Sequence, residues 1–252
     1  MRLAGKVAVI TGAAGDIGRG IALKFAGEGA HVVVNDLSLM AAESVSDKIK
    51  EMGQKALPVQ ADVSSFKDME RMFSEAVSVF GRVDILVSNA GIRRDSPIHT
   101  MTETQWDQVM DVQLKGCFNA VKLAQKYMVG QQYGRIIIVA SPVPSGLGRS
   151  AEINYSTANA GLTGLTASLA IELGKYNINV NCIAPDFIET QMTREHVRTD
   201  GMYMEDFKKA ALAHIPLRRL GTVEDVSGVA LFLASDESGY VSGQVIKVRG
   251  GP

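Results

Sequence analysis

The strongest constraint on this chain is a rhythm. Short runs of Val, Ile and Ala alternate with longer amphipathic stretches from one end to the other. Strand-like runs occupy 7–11, 31–35, 56–59, 84–88, 135–140, 177–183 and 244–248. Helical spacing occupies 16–28, 39–52, 66–80, 103–130, 155–175 and 223–235. Several strand runs are apolar nearly throughout, the pattern of strands covered on both faces. Strand and helix in strict alternation imply βαβ units and a parallel sheet. Right-handed crossovers then place helices on both sides. The expected class is α/β, a doubly wound parallel sheet of about seven strands.

No Pro/Gly/Ser-rich linker or charge run divides the 252 residues, so one domain is expected over 1–252. A chain this long buries well over half its unfolded surface and needs no disulfide or metal staple. The segment 187–222 breaks the rhythm. It carries Met192, Met202, Tyr203 and Met204 among many charges and reads as an inserted helical lid over a substrate site. Long insertions in compact domains are more often functional than not.

Composition excludes several classes. Lys and Arg number 26 against 27 Asp and Glu, a net charge of −1. Nucleic-acid and acidic-membrane binders usually show a basic excess, so neither partner is expected. Cys117 and Cys182 form neither a disulfide framework nor a CxxC pair and read as buried thiols in a reducing compartment. The start, Met1 to Lys6, shows no apolar leader segment, and no stretch reaches the roughly 18 apolar residues of a membrane helix. A cytoplasmic location is expected. The histidines at 31, 99, 196 and 214 lack metal-ligand spacing, so no metal is expected.

Glycine supplies 25 residues, and some sit where they carry chemistry. The first strand runs into Thr11-Gly12-Ala13-Ala14-Gly15-Asp16-Ile17-Gly18. Glycines between a strand and a helix permit a tight turn and let backbone N–H groups approach a pyrophosphate at the helix N-terminus. This recognition uses dipoles rather than Lys or Arg, which suits a neutral chain. The second strand ends at Asn35 and Asp36, and an acid about 20 residues past the glycines can bind an adenosine ribose 2′-OH. Its carboxylate would repel a 2′-phosphate, and neither Ala14 nor Leu37 is basic. NAD is therefore expected over NADP. The competing reading of Asp36 is a helix cap.

These motifs, with Asp62-Val63, Ser88-Asn89-Ala90-Gly91, Tyr155 and the stretch Pro185 to Thr190, resemble the short-chain dehydrogenase/reductase family over the whole chain. The resemblance implies a Rossmann-type fold, a nicotinamide cofactor and a carbonyl or alcohol substrate. It implies that Asp62 and Val63 contact adenine and that Asn89, Ala90 and Gly91 line the cofactor channel. It also implies that the stretch from Pro185, through Ile188 and Thr190, holds the nicotinamide carboxamide. A homotetramer or homodimer is implied, through helices that here are 103–130 and 155–175.

The family's catalytic machinery is an Asn, a Ser, a Tyr and a Lys, and the match is partial. Ser141 and Tyr155 stand where the serine and tyrosine belong, with Ser145 as a second candidate for the serine. The lysine, four residues after the tyrosine, is Asn159, and the asparagine is Gln113. Asp186 follows Pro185 where the family usually has glycine. Three changes around one site point to a changed or abandoned reaction.

The chemistry of the loss is definite. A free tyrosine has a pKa of about 10, so about one in a thousand is ionised at pH 7. Asn159 can donate a hydrogen bond to the cofactor ribose but supplies no positive charge. Tyr155 is then expected to work as an acid in carbonyl reduction and poorly as a base in alcohol oxidation. Lys115 lies two residues from Gln113 and should face elsewhere on a helix. Asp186 is open between a substrate-pocket acid and a solvated loop carboxylate. The expected function is an NAD(H)-dependent oxidoreductase on a small carbonyl or alcohol. Two alternatives stay open here: an NAD-binding protein without turnover, and a non-redox enzyme on the same scaffold.

Overall fold

The computed structural model describes residues 1–142, 150–199, 201 and 203–251. Its strands are β1 (Val7–Ile10), β2 (His31–Asp36), β3 (Ala56–Gln60), β4 (Ile85–Ser88), β5 (Gly134–Val139), β6 (Ile178–Pro185) and β7 (Val245–Val248). They form one seven-stranded sheet in the order β3-β2-β1-β4-β5-β6-β7, parallel at every pairing. The helices are α1 (Asp16–Gly27), α2 (Leu39–Glu51), α3 (Phe66–Phe80), α4 (Glu103–Val109), α5 (Gly116–Gln131), α6 (Ile153–Leu173), α7 (Gln191–Thr199), α8 (Met204–His214) and α9 (Val223–Ala234). The doubly wound, Rossmann-type sheet expected from the alternation is the fold observed.

The apolar strand runs follow from burial on two sides. Successive residues of a strand face opposite ways. In β1, Val9 joins an apolar layer with Met69 and Phe73 of α3 and Met128 of α5. Its neighbours Ala8 and Ile10 join the other layer, with Ile21 and Phe25 of α1 and Ile49 of α2. β2 divides in the same way, Val33 to the first layer and Val32 and Val34 to the second. A polar residue at any of these positions would lie unsolvated in one layer or the other.

The helix starts are written in the sequence. Ser38, Ser65, Thr102 and Thr222 cap α2, α3, α4 and α9, each accepting a first-turn backbone N–H on its hydroxyl. α1 differs: it opens on Gly15 with no side-chain cap. Its first-turn N–H groups are left for another partner.

One expected helix is divided. The stretch 103–130 is α4 and α5 joined through a π-helical segment, Met110–Lys115. A π turn changes the backbone hydrogen bonds of a single turn inside a longer helix, and the helical spacing read over 103–130 does not mark it. Its consequence is local: Gln113 is buried, while Lys115 points outward to Asp111 at 3.2 Å.

The strand order puts the site in place. The chain winds outward from β1 through β2 to β3, then returns to the other side of β1 and continues through β4 to β7. Connections after β1 and β4 therefore part in opposite directions and leave a crevice at the strands' carboxyl ends. The insertion after β6 is tied off at its base. Glu189 N–H donates to the Gly221 carbonyl and Gly221 N–H to that of Phe187, both at 3.0 Å. The Phe187 ring leans on Phe207 of α8, centroids 6.4 Å apart.

The tightest backbone approach lies beneath α1. A Cβ on Gly18 would come within 2.3 Å of the Gly12 carbonyl oxygen and 2.9 Å of the Ala13 Cα, atoms that cannot swing away. Gly18→Ala is expected to lower unfolding free energy by about 1–3 kcal/mol in a urea titration. Gly130→Ala, where a Cβ would meet nothing within 4 Å, is expected to be neutral or slightly stabilising. Equal effects of the two substitutions would refute close packing at the turn.

Candidate active site

A cleft of about 840 Å³ occupies the crevice. One wall is the glycine turn and the start of α1, with Gly12, Gly15, Asp16, Ile17 and Gly18 on its lining. Thr11 and Asn89 stitch this wall to β4. The backbone N–H groups of Asn89 and Ala90 donate to the buried Thr11 hydroxyl at 3.0 and 3.2 Å. The Asn89 amide donates back to the carbonyls of Thr11 and Gly12, both at 3.0 Å. Gly12 sits in the left-handed region at φ 59°, and a Cβ there would lie 2.9 Å from the Ala90 Cα. Asp36 closes the turn from the side. One carboxylate oxygen accepts from Ala14 N–H and the other from Ser38 N–H, each at 3.2 Å. It lines the cleft, and the capping of α2 belongs to Ser38 rather than to Asp36.

Asp16 links the turn to the insertion. It accepts from Arg19 Nη2 at 3.0 Å and from the backbone N–H of Gln191, the first residue of α7, at 2.6 Å. Thr190 lines the cleft as well, its hydroxyl accepting from Thr193 N–H at 3.2 Å as α7 begins.

The opposite wall carries the residues with acid/base potential. Tyr155, in the first turn of α6, is partly buried and lines the cleft. The Ser141 hydroxyl stands near enough to its phenol to favour the ionised form. Burial pushes the Tyr155 phenol above the ordinary tyrosine range, against the opposing pull of Arg93 and Ser141. Asn159 lies one turn further along and is buried. Its amide oxygen accepts Ser141 N–H at 2.7 Å, and its amide nitrogen donates to the Tyr155 carbonyl at 2.8 Å. Asn159 is thus a tie between the end of β5 and α6, with one N–H hydrogen left for the cleft. Gln113 stands beside Gly91 and Ala90 on the lining, and its buried Oε1 has no hydrogen-bond partner among the described residues.

Other expected site residues lie off this lining. Asp62 turns back on its own loop, accepting from Ser64 N–H and Oγ, both at 2.8 Å. Val63 is buried in the core against Gly116, whose Cβ would come within 2.7 Å of it. Pro185 ends β6 and pairs with Val248. Ile188 is buried under Gly221. Asp186 accepts the N–H of Phe187 at 3.0 Å and stays outside the cleft lining. Ser145, the second serine candidate, lies outside the described residues.

Arg93, which motif reading passes over, lines the cleft with its guanidinium carbon 4.8 Å from the Tyr155 ring centroid. It is held by Asp95 and by Glu152, the residue just before α6. Asn154 completes this support, its amide donating to the carbonyls of Arg94 at 2.9 Å and Gln105 at 3.1 Å. The available sequence signal was an arginine two residues past Gly91, at the mouth of the expected channel.

A family model described as enoyl-(acyl carrier protein) reductase matches residues 12–252. The chain belongs to the short-chain dehydrogenase/reductase family. This family member is 42% identical over 251 residues to the 3-oxoacyl-acyl-carrier-protein reductase FabG of Thermotoga maritima, covering 100% of this chain and 99% of that one. It is 38% identical to BbsD of Thauera aromatica, a hydroxy(phenyl)methylsuccinyl-CoA dehydrogenase subunit, covering 100% and 98%. A 7α-hydroxysteroid dehydrogenase solved with NADH and 7-oxo glycochenodeoxycholic acid shares its fold at TM-score 0.92 and 34% identity, over 99% of this chain and 95% of that one.

Asn159→Ala tests the tie in this family member. It leaves the Ser141 N–H unsatisfied beside a buried site, which costs about 1–3 kcal/mol. A matching fall in urea stability is expected, with Asn159→Asp retaining more of it than Ala. Unchanged stability of the Ala variant would show that water replaces the tie at no cost.

Proposed function

We propose that this chain is an NAD(H)-dependent oxidoreductase that interconverts a small carbonyl compound and its alcohol by hydride transfer. One observation carries the reading. A buried phenol with a serine hydroxyl beside it shares a cleft with a helix N-terminus that has no side-chain cap.

The residues present fit a nicotinamide dinucleotide. The N–H groups of Asp16, Ile17 and Gly18 open α1 and suit a pyrophosphate. Asp36 at the end of β2 suits a ribose diol, and its charge disfavours a 2′-phosphate. Asn89, Ala90 and Gly91 flank the path from the glycine turn towards Tyr155, with Thr190 and Ile188 at the base of the insertion. A reduced nicotinamide held there by these residues would supply the hydride that a carbonyl carbon accepts. Tyr155 donates its phenolic proton to the carbonyl oxygen as that oxygen takes up the π-electron pair, and the phenolate regains a proton from solvent. Ser141 donates a hydrogen bond to the same oxygen and orients it. Asn159 keeps Ser141 and Tyr155 in register and donates its remaining N–H to the ribose. Gln113 presents an amide to water on the facing wall.

The segment 187–222 serves as the substrate lid, fastened to the glycine turn through Asp16 and Gln191. No helix among the described residues is long and apolar enough to cross a membrane. A homodimer or homotetramer is part of the proposal. The outward face of α6 carries Thr157, Ala160, Gly164 and Ala167, small exposed residues that let a second helix approach, followed by the 85% exposed Ile171.

Cofactor choice is read by thermal shift. NADH is expected to raise the melting temperature more than NADPH at equal concentration. Asp36→Ala should weaken NADH by about 10- to 100-fold, the loss of a charge-assisted hydrogen bond, and narrow the gap. A larger shift with NADPH in the unaltered protein would reverse the assignment. No shift with either nucleotide would reject the oxidoreductase reading.

The pH dependence follows from the sign of the Tyr155 shift. Reduction needs the protonated phenol, which a raised pKa preserves at neutral pH. Oxidation needs the phenolate, so its rate should climb about tenfold per pH unit between 7 and 10. NADH absorbance across a carbonyl and alcohol panel measures both directions. Tyr155→Phe should lower reduction by about 10²- to 10⁴-fold. A flat oxidation profile with chemistry rate-limiting would contradict the acid/base role.

A further inference from the structure

Tyr155 does not face a neutral wall. Its ring lies against the guanidinium of Arg93, Cζ 4.8 Å from the centroid. Arg93 is a fixed group, its side chain 16% exposed. Its Nε and Nη2 reach Asp95 at 2.9 and 2.8 Å, and Nη2 also bonds Glu152. Arg93 and Asp95 come from the segment after β4, and Glu152 precedes Tyr155 by three residues. Asn154 locks the two segments together through the carbonyls of Arg94 and Gln105. The contact between guanidinium and ring is therefore built from two sides.

We infer that Arg93 is a positioning residue for the acid/base group, the cation that stabilises the Tyr155 phenolate, and that Glu152 and Asp95 set how strongly it does so. The inference rests on the oxidoreductase reading only where it speaks of turnover. A guanidinium stays protonated throughout the working pH range, so its effect is constant where an ammonium's would titrate. Over a ring face it attracts the π-system, and it attracts the ring more when the oxygen is ionised. Two carboxylates on one guanidinium leave the trio at net −1, which offsets much of that attraction. The phenol is thereby held as an acid that is seldom ionised near neutrality, a setting for carbonyl reduction. Among the described residues, the charged groups acting on the ring are these three. Ser141 at the end of β5, Asn159 one turn along α6 and Gln113 on the cleft lining are neutral. Asp16, Arg19, Asp36, Arg94 and Glu195 line the rest of the cleft.

Opposite charges within about 4–6 Å move a titration by about 1–3 pH units, and the two signs give opposite directions. The test is the ionisation of Tyr155 itself, followed by NMR of protein labelled with ζ-¹³C tyrosine, without nucleotide. Its resonance is assigned by its disappearance in Tyr155→Phe. The Glu152→Gln midpoint is expected at least about one pH unit below that of the unaltered protein. In Arg93→Met it should rise by a similar amount, and in Arg93→Lys lie between. Arg93→Met strands two carboxylates, so the double variant R93M/E152Q provides a better-balanced fold, its midpoint expected above that of E152Q alone. The alkaline limb of kcat/KM for oxidation should follow the same order. Glu152→Gln leaving the midpoint in place, or moving it upward, overturns the inference, as does an R93M/E152Q midpoint equal to that of E152Q. Midpoints that move as expected in a protein without turnover would overturn the oxidoreductase reading and leave the charge assignment standing. Turnover with unmoved midpoints would do the reverse.

Discussion

The site depends on one close approach: two backbone segments that cross where β1 and β4 part. Gly12 meets Ala90, Gly18 meets the Gly12 carbonyl, and the Asn89 amide bridges them. These contacts leave no room for a Cβ at either glycine. Because the turn is that tight, α1 begins at the crevice and presents its uncapped N–H groups there. The same stitch sets where Gly91 and Arg93 emerge from β4, and so where the facing wall must stand.

That wall shows how neutral residues can take over the framework of a charged one. Asn159 has no charge to lend the phenol, and it uses its amide to hold β5 to α6. The cation arrives from elsewhere, on Arg93, and arrives already paired. Burial and paired charge then act together to keep the phenol protonated. Asn159, read alone, suggests an abandoned reaction. In place its amide is occupied in joining the end of β5 to the first turns of α6.

Most of the fold was legible because its causes are local. Val9 and Ile10 had to be apolar to enter different layers, and that requirement appears as an unbroken apolar run. Ser38, Ser65, Thr102 and Thr222 mark helix starts through a bond reaching only three residues ahead. The π turn at Met110–Lys115 was not legible, since it is a change of backbone hydrogen bonding over one turn with no residue type that marks it. Gln113, Tyr155 and the glycine turn were recognisable as motifs. Asp62 and Val63 are picked out by identity, and the structure places one turning back on its own loop and the other with its side chain in the core.

By itself the sequence determined the parallel sheet, the two apolar layers, the tight glycine turn after β1 and the placing of Ser141 and Tyr155 at a strand end and a helix start. Each follows from periodicity, or from residue types within a few positions of one another. Only the tertiary structure decided what charge Tyr155 feels and what Asn159 does. Arg93 and Glu152 are 59 residues apart, and Ser141 and Asn159 are 18 apart. Contacts of that range depend on how β4, β5 and α6 pack together, and no local pattern encodes that packing.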